Sequence, residues 1–116
     1  EIKNDYYRVV DCIQDSLKRF ATGTYIVWYP IVPRPEAHDL PRKLKGLCSQ
    51  VKKPWLHATL AIGRETGSKD AGLSASGMFI VNPPFTLKPL LNEALPVVEE
   101  ALARGPGRGW VVESGG

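Results

Sequence analysis

The segment Asn82-Pro83-Pro84-Phe85 combines an amide, a rigid backbone and an aromatic ring within four residues. An amide oxygen and a neighbouring backbone carbonyl can accept the two hydrogen bonds of an exocyclic amine, while the ring stacks on a flipped nucleobase. The two prolines restrict the backbone and hold these groups in a fixed relation. The segment directly follows an apolar run from Gly77 to Val81, so these groups would stand together at the end of a strand and could bind the amino group of a base.

The expected direction of that strand argues against a catalytic role for Asn82. Residues 63 to 76 carry no helical pattern, and a connection without a helix most simply joins antiparallel neighbours. Active sites of open α/β sheets lie at the carboxyl ends of the parallel strands, so an antiparallel strand would carry Asn82 to the opposite edge. We therefore interpret the segment as the entry to the next helix, since proline suits a first helical turn. The catalytic alternative stays open.

Seven elements position these residues, in the order α-β-α-β-β-α-β. Helical periodicity covers residues 4–20, 36–50 and 87–103, and β-prone apolar runs cover 24–29, 55–62, 77–81 and 110–113. The first of these runs shows no polar alternation, which predicts a strand covered on both faces. Because a strand-helix-strand unit forms a right-handed parallel crossover, we expect an α/β fold with a mostly parallel sheet and one antiparallel strand near its edge.

Length and composition restrict the class of protein. The 116 residues suffice for one domain, and 43% hydrophobic with 23% charged residues is typical of a globular chain, not a disordered one. No apolar run reaches the roughly 18 residues of a membrane span, so we expect no membrane association. Cys12 and Cys48 are too few for a disulfide framework, and we expect buried, reduced thiols in a cytoplasmic protein.

The charge distribution favours a polyanionic partner. The formal net charge is +3, and the stretch from Arg34 to Lys69 holds eight basic residues against three acidic ones. This excess is compatible with nucleic acid, although a solvated helix face and loop would explain it too. His38 and His57 have no cysteine or carboxylate at metal-ligand or nucleophile spacing, so we interpret both as structural or exposed and expect no metal site.

Four segments, in the same order along the chain, resemble one family. They are Leu17–Tyr25 (LKRFATGTY), Trp28–Pro30 (WYP), Ser74–Met78 (SASGM) and Asn82–Phe85 (NPPF). They are similar to the C-terminal half of the RlmJ family of bacterial 23S ribosomal RNA adenine-N6 methyltransferases, also described as proteins involved in catabolism of external DNA. The resemblance extends over nearly all 116 residues.

The resemblance implies a Rossmann-like class I S-adenosylmethionine-dependent methyltransferase fold. Residues 1–116 would form the C-terminal part of that single domain, without its N-terminal cofactor-binding half. The family's glycine-rich cofactor loop and its catalytic Asp-Pro-Pro-Tyr would precede Glu1. We therefore expect neither catalytic nor cofactor-binding residues in this chain, and we expect it to be inactive alone. The Asn82–Phe85 segment would be the family's second Pro-Pro element.

The same resemblance implies a substrate-binding edge at residues 1–5, 28–35 and 62–78. The candidates there are Trp28, Tyr29, Arg34, Arg64, Lys69 and Ser76. The two aromatic rings would stack on a base, the three cations would hold phosphates, and the serine would contact the nucleotide. Each role has an alternative. Trp28 could be a core residue, so that only Tyr29 reaches the pocket. The three cations could be solvated loop charges, and Ser76 could form a turn.

Three functional hypotheses follow. The first is a segment of an S-adenosylmethionine-dependent methyltransferase that acts on an adenine N6 amine of 23S ribosomal RNA. The second is a protein for uptake or catabolism of external DNA, and the third is a non-enzymatic nucleic-acid-binding module. A basic edge serves either nucleic acid, so the residues do not separate these hypotheses. An open sheet edge would also favour self-association of the chain.

Overall fold

The structure is a computed structural model that describes residues 2–64 and 74–116, with side chains from Asp5 onward. The elements are α1 (Ile2–Arg19), β1 (Tyr25–Pro30), α2 (Pro35–Val51), β2 (Trp55–Ile62), β3 (Ala75–Val81), α3 (Leu87–Leu102) and β4 (Arg108–Gly115). Every element overlaps the range predicted for it, and the α/β class and element order are confirmed. None of the helices in the described part of the chain is long and apolar enough to cross a membrane.

The four strands form one sheet in the order β1-β3-β2-β4, and every neighbouring pair is antiparallel. The prediction of a Rossmann-like, mostly parallel sheet is therefore wrong. β1 and β2 do run in the same direction, as a crossover through α2 requires. However, β3 lies between them and is antiparallel to both, so the two strands never pair. The predicted antiparallel neighbour relation of β2 and β3 is confirmed, but β3 lies inside the sheet and not near its edge.

One face of the sheet packs against α1 and α2, where most of the core lies. The buried side chains of that core are Ile13, Leu17, Val27, Tyr29, Leu40, Leu44, Leu47, Cys48, Phe79 and Val81. Alternation along the strands places Val27 and Tyr29 on this face, and it turns their neighbours to the opposite face. α2 stays continuous through Pro41 and Gly46, with its buried leucines facing the sheet. Cys48 is buried as predicted, whereas Cys12 is exposed, contrary to the prediction.

α3 covers only part of the second face. A smaller core forms where Leu87, Leu91 and Leu95 pack over Leu56 and Ile80. The helical stripe of the sequence predicts an inward position for these three leucines, which is confirmed, but Leu90, Val98 and Leu102 of the same stripe are exposed.

β1 lies beyond the part of the face that α3 covers. Its Ile26 is 61% exposed and its Trp28 is 55% exposed. The prediction that this strand is covered on both faces is therefore wrong for this chain.

Candidate nucleic-acid interface

One edge of the sheet collects the ends of β1 and β2 and the beginning of β3. Pro30 and Leu60 both lie opposite Ser76 in the register. Beyond the strands, the Ile31 amide donates to the Ala75 carbonyl at 3.0 Å, and the Ile62 amide donates to the Ser74 carbonyl at 2.9 Å. The described parts of predicted segments 28–35 and 62–78 therefore meet where β1 and β2 end and β3 begins. We call this end of the sheet, which is not an edge strand, the reading edge.

Trp28 is the open aromatic ring of the reading edge. It borders a hollow of about 210 Å³ between α1 and β1, together with Asp5, Tyr6 and Pro30. The Tyr6 hydroxyl donates to the Pro30 carbonyl at 3.3 Å, which ties the beginning of α1 to the end of β1. Trp28 also borders a second hollow of about 170 Å³ on the sheet face next to α3. A ring in this position can accept a planar ligand from either hollow.

Tyr29 points to the opposite face and is only 3% exposed. Its ring lies nearly parallel to that of His57, with 6.0 Å between the centroids. Burial, followed by the charges of Tyr6 and Glu113, raises the pKa of Tyr29 to about 12, so the hydroxyl keeps its proton. Tyr29 and Trp28 both line the hollow of about 210 Å³, and Trp28 is the more exposed ring of the two.

The Tyr29 hydroxyl begins a series of polar contacts that runs from the core to the partly exposed side chains of Glu113 and Lys45. It lies 2.6 Å from His57 Nε2, and His57 Nδ1 lies 3.1 Å from a carboxylate oxygen of Glu113. The same Glu113 oxygen accepts a hydrogen bond from Lys45 Nζ at 2.6 Å. Because a carboxylate only accepts, Nδ1 carries the imidazole proton and Nε2 accepts from Tyr29. These polar contacts thereby connect β1, β2, β4 and α2.

Electrostatics keep the centre of this polar chain neutral. Burial lowers the pKa of His57, and nearby Lys45 lowers it further, while the hydrogen bond to Glu113 opposes both effects. The hydrogen bond from Lys45 lowers the pKa of the Glu113 carboxyl, and the bond from His57 lowers it further. The sequence predicts a structural or exposed imidazole for His57, and no residue spacing in it indicates Tyr29 or Glu113 as partners. The signal for a buried position was its place in an almost wholly apolar strand.

Three of the remaining candidates lie at the reading edge. Arg34 is exposed and directly precedes α2. Arg64 Nε donates to Ser74 Oγ at 3.3 Å, which directs this side chain to the beginning of β3. Ser76 is half-buried and borders the same 170 Å³ hollow as Trp28. Lys69 lies outside the described residues.

Asn82 lies at the other end of the sheet, as the antiparallel direction of β3 predicts. Its side-chain amide donates to the carbonyls of Ala21 at 3.0 Å and Gly23 at 2.8 Å. Its backbone carbonyl accepts from Thr24 Oγ1 at 2.8 Å, and its backbone amide donates to the Pro54 carbonyl at 2.9 Å. The amide is thus occupied by backbone contacts, and the residue takes a left-handed φ of 55°.

The described residues do not fit the glycine-rich turn that holds the cofactor in Rossmann-like S-adenosylmethionine-dependent methyltransferases. That turn must lead from a strand into a helix, where small residues let a ligand approach the backbone. Here the turn between β1 and α2 is Ile31–Arg34 (IVPR), and the turn between β3 and α3 is Asn82–Thr86 (NPPFT). Neither contains glycine. The glycines of residues 105–109 lead from α3 into β4, the reverse order.

Comparisons with known proteins agree with the resemblance. "Ribosomal RNA large subunit methyltransferase J" of Haemophilus influenzae is 39% identical over 113 residues, with 97% of this chain and 38% of the relative covered. The Escherichia coli protein of the same name is 35% identical, with 97% of this chain and 40% of the relative covered. The chain thus spans about two fifths of the length of the curated relatives it matches.

A solved structure has the same fold. The crystal structure of protein LPL1258 from Legionella pneumophila superposes with a TM-score of 0.77 at 25% sequence identity and covers 97% of this chain and 39% of that protein. A sequence model of the family described as "RsmJ: Ribosomal RNA large subunit methyltransferase D, RlmJ" matches residues 1–113. The chain therefore belongs to the RlmJ family of ribosomal RNA large subunit methyltransferases.

Proposed function

We propose that this chain supplies part of the RNA-facing surface of a cytoplasmic enzyme that methylates the N6 amine of an adenine in 23S ribosomal RNA. The methyl donor would be S-adenosylmethionine, held by residues other than those described here. Trp28 is the observation that carries this proposal. Its ring is exposed at the reading edge, beside the hollow of about 210 Å³ between α1 and β1.

Stacking is the role that suits Trp28. A base on an aromatic ring contributes about 1 to 3 kcal/mol and needs no hydrogen-bond partner. The neighbouring Tyr29 is buried and hydrogen-bonded to His57, so it anchors the end of β1 while Trp28 points outward. We assign the positioning role to Tyr29 and the contact with the base to Trp28.

The polar residues of the reading edge would orient the RNA backbone. Arg34 and Arg64 follow the ends of β1 and β2, where their guanidinium groups can reach phosphate oxygens. Lys69 remains a candidate of the same kind. Ser76 shares the 170 Å³ hollow with Trp28 and would meet the sugar or base edge of the stacked nucleotide.

Measuring methyl transfer by the full-length protein tests whether Trp28 stacks on a base. Trp28→Ala removes the ring, and we expect kcat/KM on 23S ribosomal RNA to fall about 5- to 150-fold, the loss of one base stack. Trp28→Phe keeps a stacking surface and should retain most of the activity. Ile26→Ala is the matched control, because Ile26 is equally exposed on the same face of β1. Unchanged kinetics after Trp28→Ala would refute the role.

A deletion strain separates methylation from the use of external DNA. Loss of a single adenine methyl mark from 23S ribosomal RNA supports the proposed function. Failure to grow on DNA as a nutrient, with the ribosomal mark intact, would instead favour the hypothesis of DNA catabolism. The two readouts are independent, so one strain answers both questions.

A further inference from the structure

The end of the sheet opposite the reading edge is built from three turns, and the proposed methyl transfer uses none of them. With the helix ends next to them, they are residues 18–24 (from the end of α1), residues 52–54 (between α2 and β2) and residues 82–88 (from the end of β3 into the first turn of α3), which together we call the far surface. Asn82 joins all three, since its side chain binds the Ala21 and Gly23 carbonyls and its backbone amide binds the Pro54 carbonyl. The far surface is therefore one braced unit.

Two aromatic rings project from this braced unit. Phe85 is 92% exposed and Phe20 is 62% exposed. Pro83 and Pro84 restrict the backbone that leads to Phe85. The carbonyl of Phe20 accepts a hydrogen bond from the Tyr25 hydroxyl at 2.7 Å, which holds the backbone of that residue too. Both rings are thus presented to solvent from supported positions, although neither contributes to the core.

The three segments of the far surface also carry cations. The far surface contains Lys18, Arg19, Lys52, Lys53 and Lys88. Among the charged partners described for them, Asp15 pairs with Arg19 at 3.4 Å, in a contact where both side chains are exposed. Lys88 donates to the neutral hydroxyl of Ser114 at 2.9 Å. The surface therefore carries a clear excess of positive charge, which is complementary to a polyanion.

Backbone strain is concentrated at the same end. In residues 2–64 and 74–116, the non-glycine residues with positive φ are Lys52 at 58° and Asn82 at 55°. A left-handed conformation costs a side-chain-bearing residue about 1 to 2 kcal/mol. Lys52 ends α2 as its left-handed C-cap and Asn82 begins the turn after β3, so both conformations shape the turns of the far surface.

We propose that the far surface is a second binding site for single-stranded RNA, in which Phe85 and Phe20 stack on unpaired bases and the lysines meet phosphates. Exposed aromatic rings among cations are the chemistry that holds single strands. A duplex would hide its base faces from both rings and would meet only the cations. This site lies at the opposite end of the sheet from Trp28, and it does not depend on the proposed methyl transfer.

Binding of a fluorescent, single-stranded oligoribonucleotide of mixed sequence to the 116-residue chain tests the proposal. We expect Phe85→Ala to weaken binding about 5- to 150-fold. We expect Lys52→Ala with Lys53→Ala to flatten the logarithmic salt dependence by about 0.7 for each phosphate that the variant no longer neutralises.

Two controls accompany these variants. Val97→Ala trims another exposed apolar side chain, on α3, and Arg8→Ala with Arg42→Ala removes the same charge from exposed positions on helices. Both controls should stay within about twofold of the wild-type affinity.

Three results would overturn the proposal. Phe85→Ala could bind the single strand as tightly as the wild type. A duplex of the same length could bind as tightly as the single strand. Phe85→Ala could abolish a concentration-dependent dimer in sedimentation with no change in RNA affinity, which would assign the surface to a second copy of the chain. Measuring Trp28→Ala in the same binding assay distinguishes RNA bound at the reading edge from RNA bound at the far surface.

Discussion

Tyr29 reaches His57 across an intervening strand, because the residue between them is a glycine. Tyr29 lies on β1 and His57 on β2, and their side chains are hydrogen-bonded at 2.6 Å over β3. Gly77 of β3 pairs with Tyr29 in the register, and a Cβ at this position would overlap the Tyr29 ring. The absent side chain of Gly77 is thus the opening through which β1 and β2 are connected.

Gly77→Ala should destabilise the chain by about 1 to 3 kcal/mol, the usual cost of overpacking a core. The Tyr29 ring would have to leave its place or β3 would have to shift. Urea unfolding measures the change. Gly46→Ala is the control, because Gly46 lies inside α2 with nothing near its missing side chain. That substitution should stabilise the chain by about 1 kcal/mol. Equal stability of Gly77→Ala and the wild type would contradict the packing of Tyr29 over β3.

The free energy of unfolding should decrease in two steps as the pH is lowered. Burial lowers the pKa of His57 below its ordinary value, so the unfolded chain takes up that proton first as the pH falls below about 6.5. The hydrogen bond from Lys45 lowers the pKa of Glu113, so its contribution is complete above about pH 4.5 and is lost at lower pH. Urea unfolding from pH 8 to 3 should show both decreases.

His57→Gln should abolish the first of these two decreases and leave the part of the second that the hydrogen bond from Lys45 supplies. His38→Gln removes an exposed imidazole of α2 that contacts neither Tyr29 nor Glu113 in the described structure, so it should retain both. A His57→Gln variant whose stability still falls between pH 7 and 5 as in the wild type would show that another group titrates there.

We predict that Asn82 has a structural role, so its substitutions should lower the stability of the fold to different extents. Asn82→Gly tolerates the positive φ but removes the two side-chain hydrogen bonds, so we expect a loss of about 1 to 2 kcal/mol. Asn82→Asp should cost more, because a carboxylate would face two carbonyl oxygens. Thermal unfolding gives this order. Activity of the folded Asn82→Gly enzyme reduced a hundredfold or more would restore the catalytic alternative.

Calorimetry with S-adenosylmethionine tests where the cofactor is held. The strand-to-helix turns in the described chain contain no glycine, so we expect the 116-residue chain to release no binding heat. The product of the whole reading frame should bind with micromolar or tighter affinity. Binding by the 116 residues alone would mean that this chain contains the cofactor site.

Self-association should follow from the open strand β1. It pairs only with β3 in the described structure, and Ile26 and Trp28 expose its apolar face. Unpaired strand edges of this kind promote contacts between chains. Sedimentation velocity should show dimers that increase with concentration, and Ile26→Lys should remove them by placing a charge on the edge strand. A monomer at millimolar concentration would count against this prediction.

Local patterns in the sequence determined the elements. Helical spacing located α1, α2 and α3, and the apolar runs located the four strands, because both periodicities depend on residues a few positions apart. Four short segments, Leu17–Tyr25, Trp28–Pro30, Ser74–Met78 and Asn82–Phe85, were together enough to indicate the family. The connection without a helix correctly predicted that β3 is antiparallel to β2.

Only the tertiary structure decided the strand order and the polar core. Nothing local shows that β3 enters between β1 and β2, since strand order depends on pairing between distant segments. Tyr29 is 28 residues from His57, which is 56 residues from Glu113. Whether Trp28 or Tyr29 faces the core depends on which face α1 and α2 cover. These contacts join distant parts of the chain, so they form only when the sheet assembles.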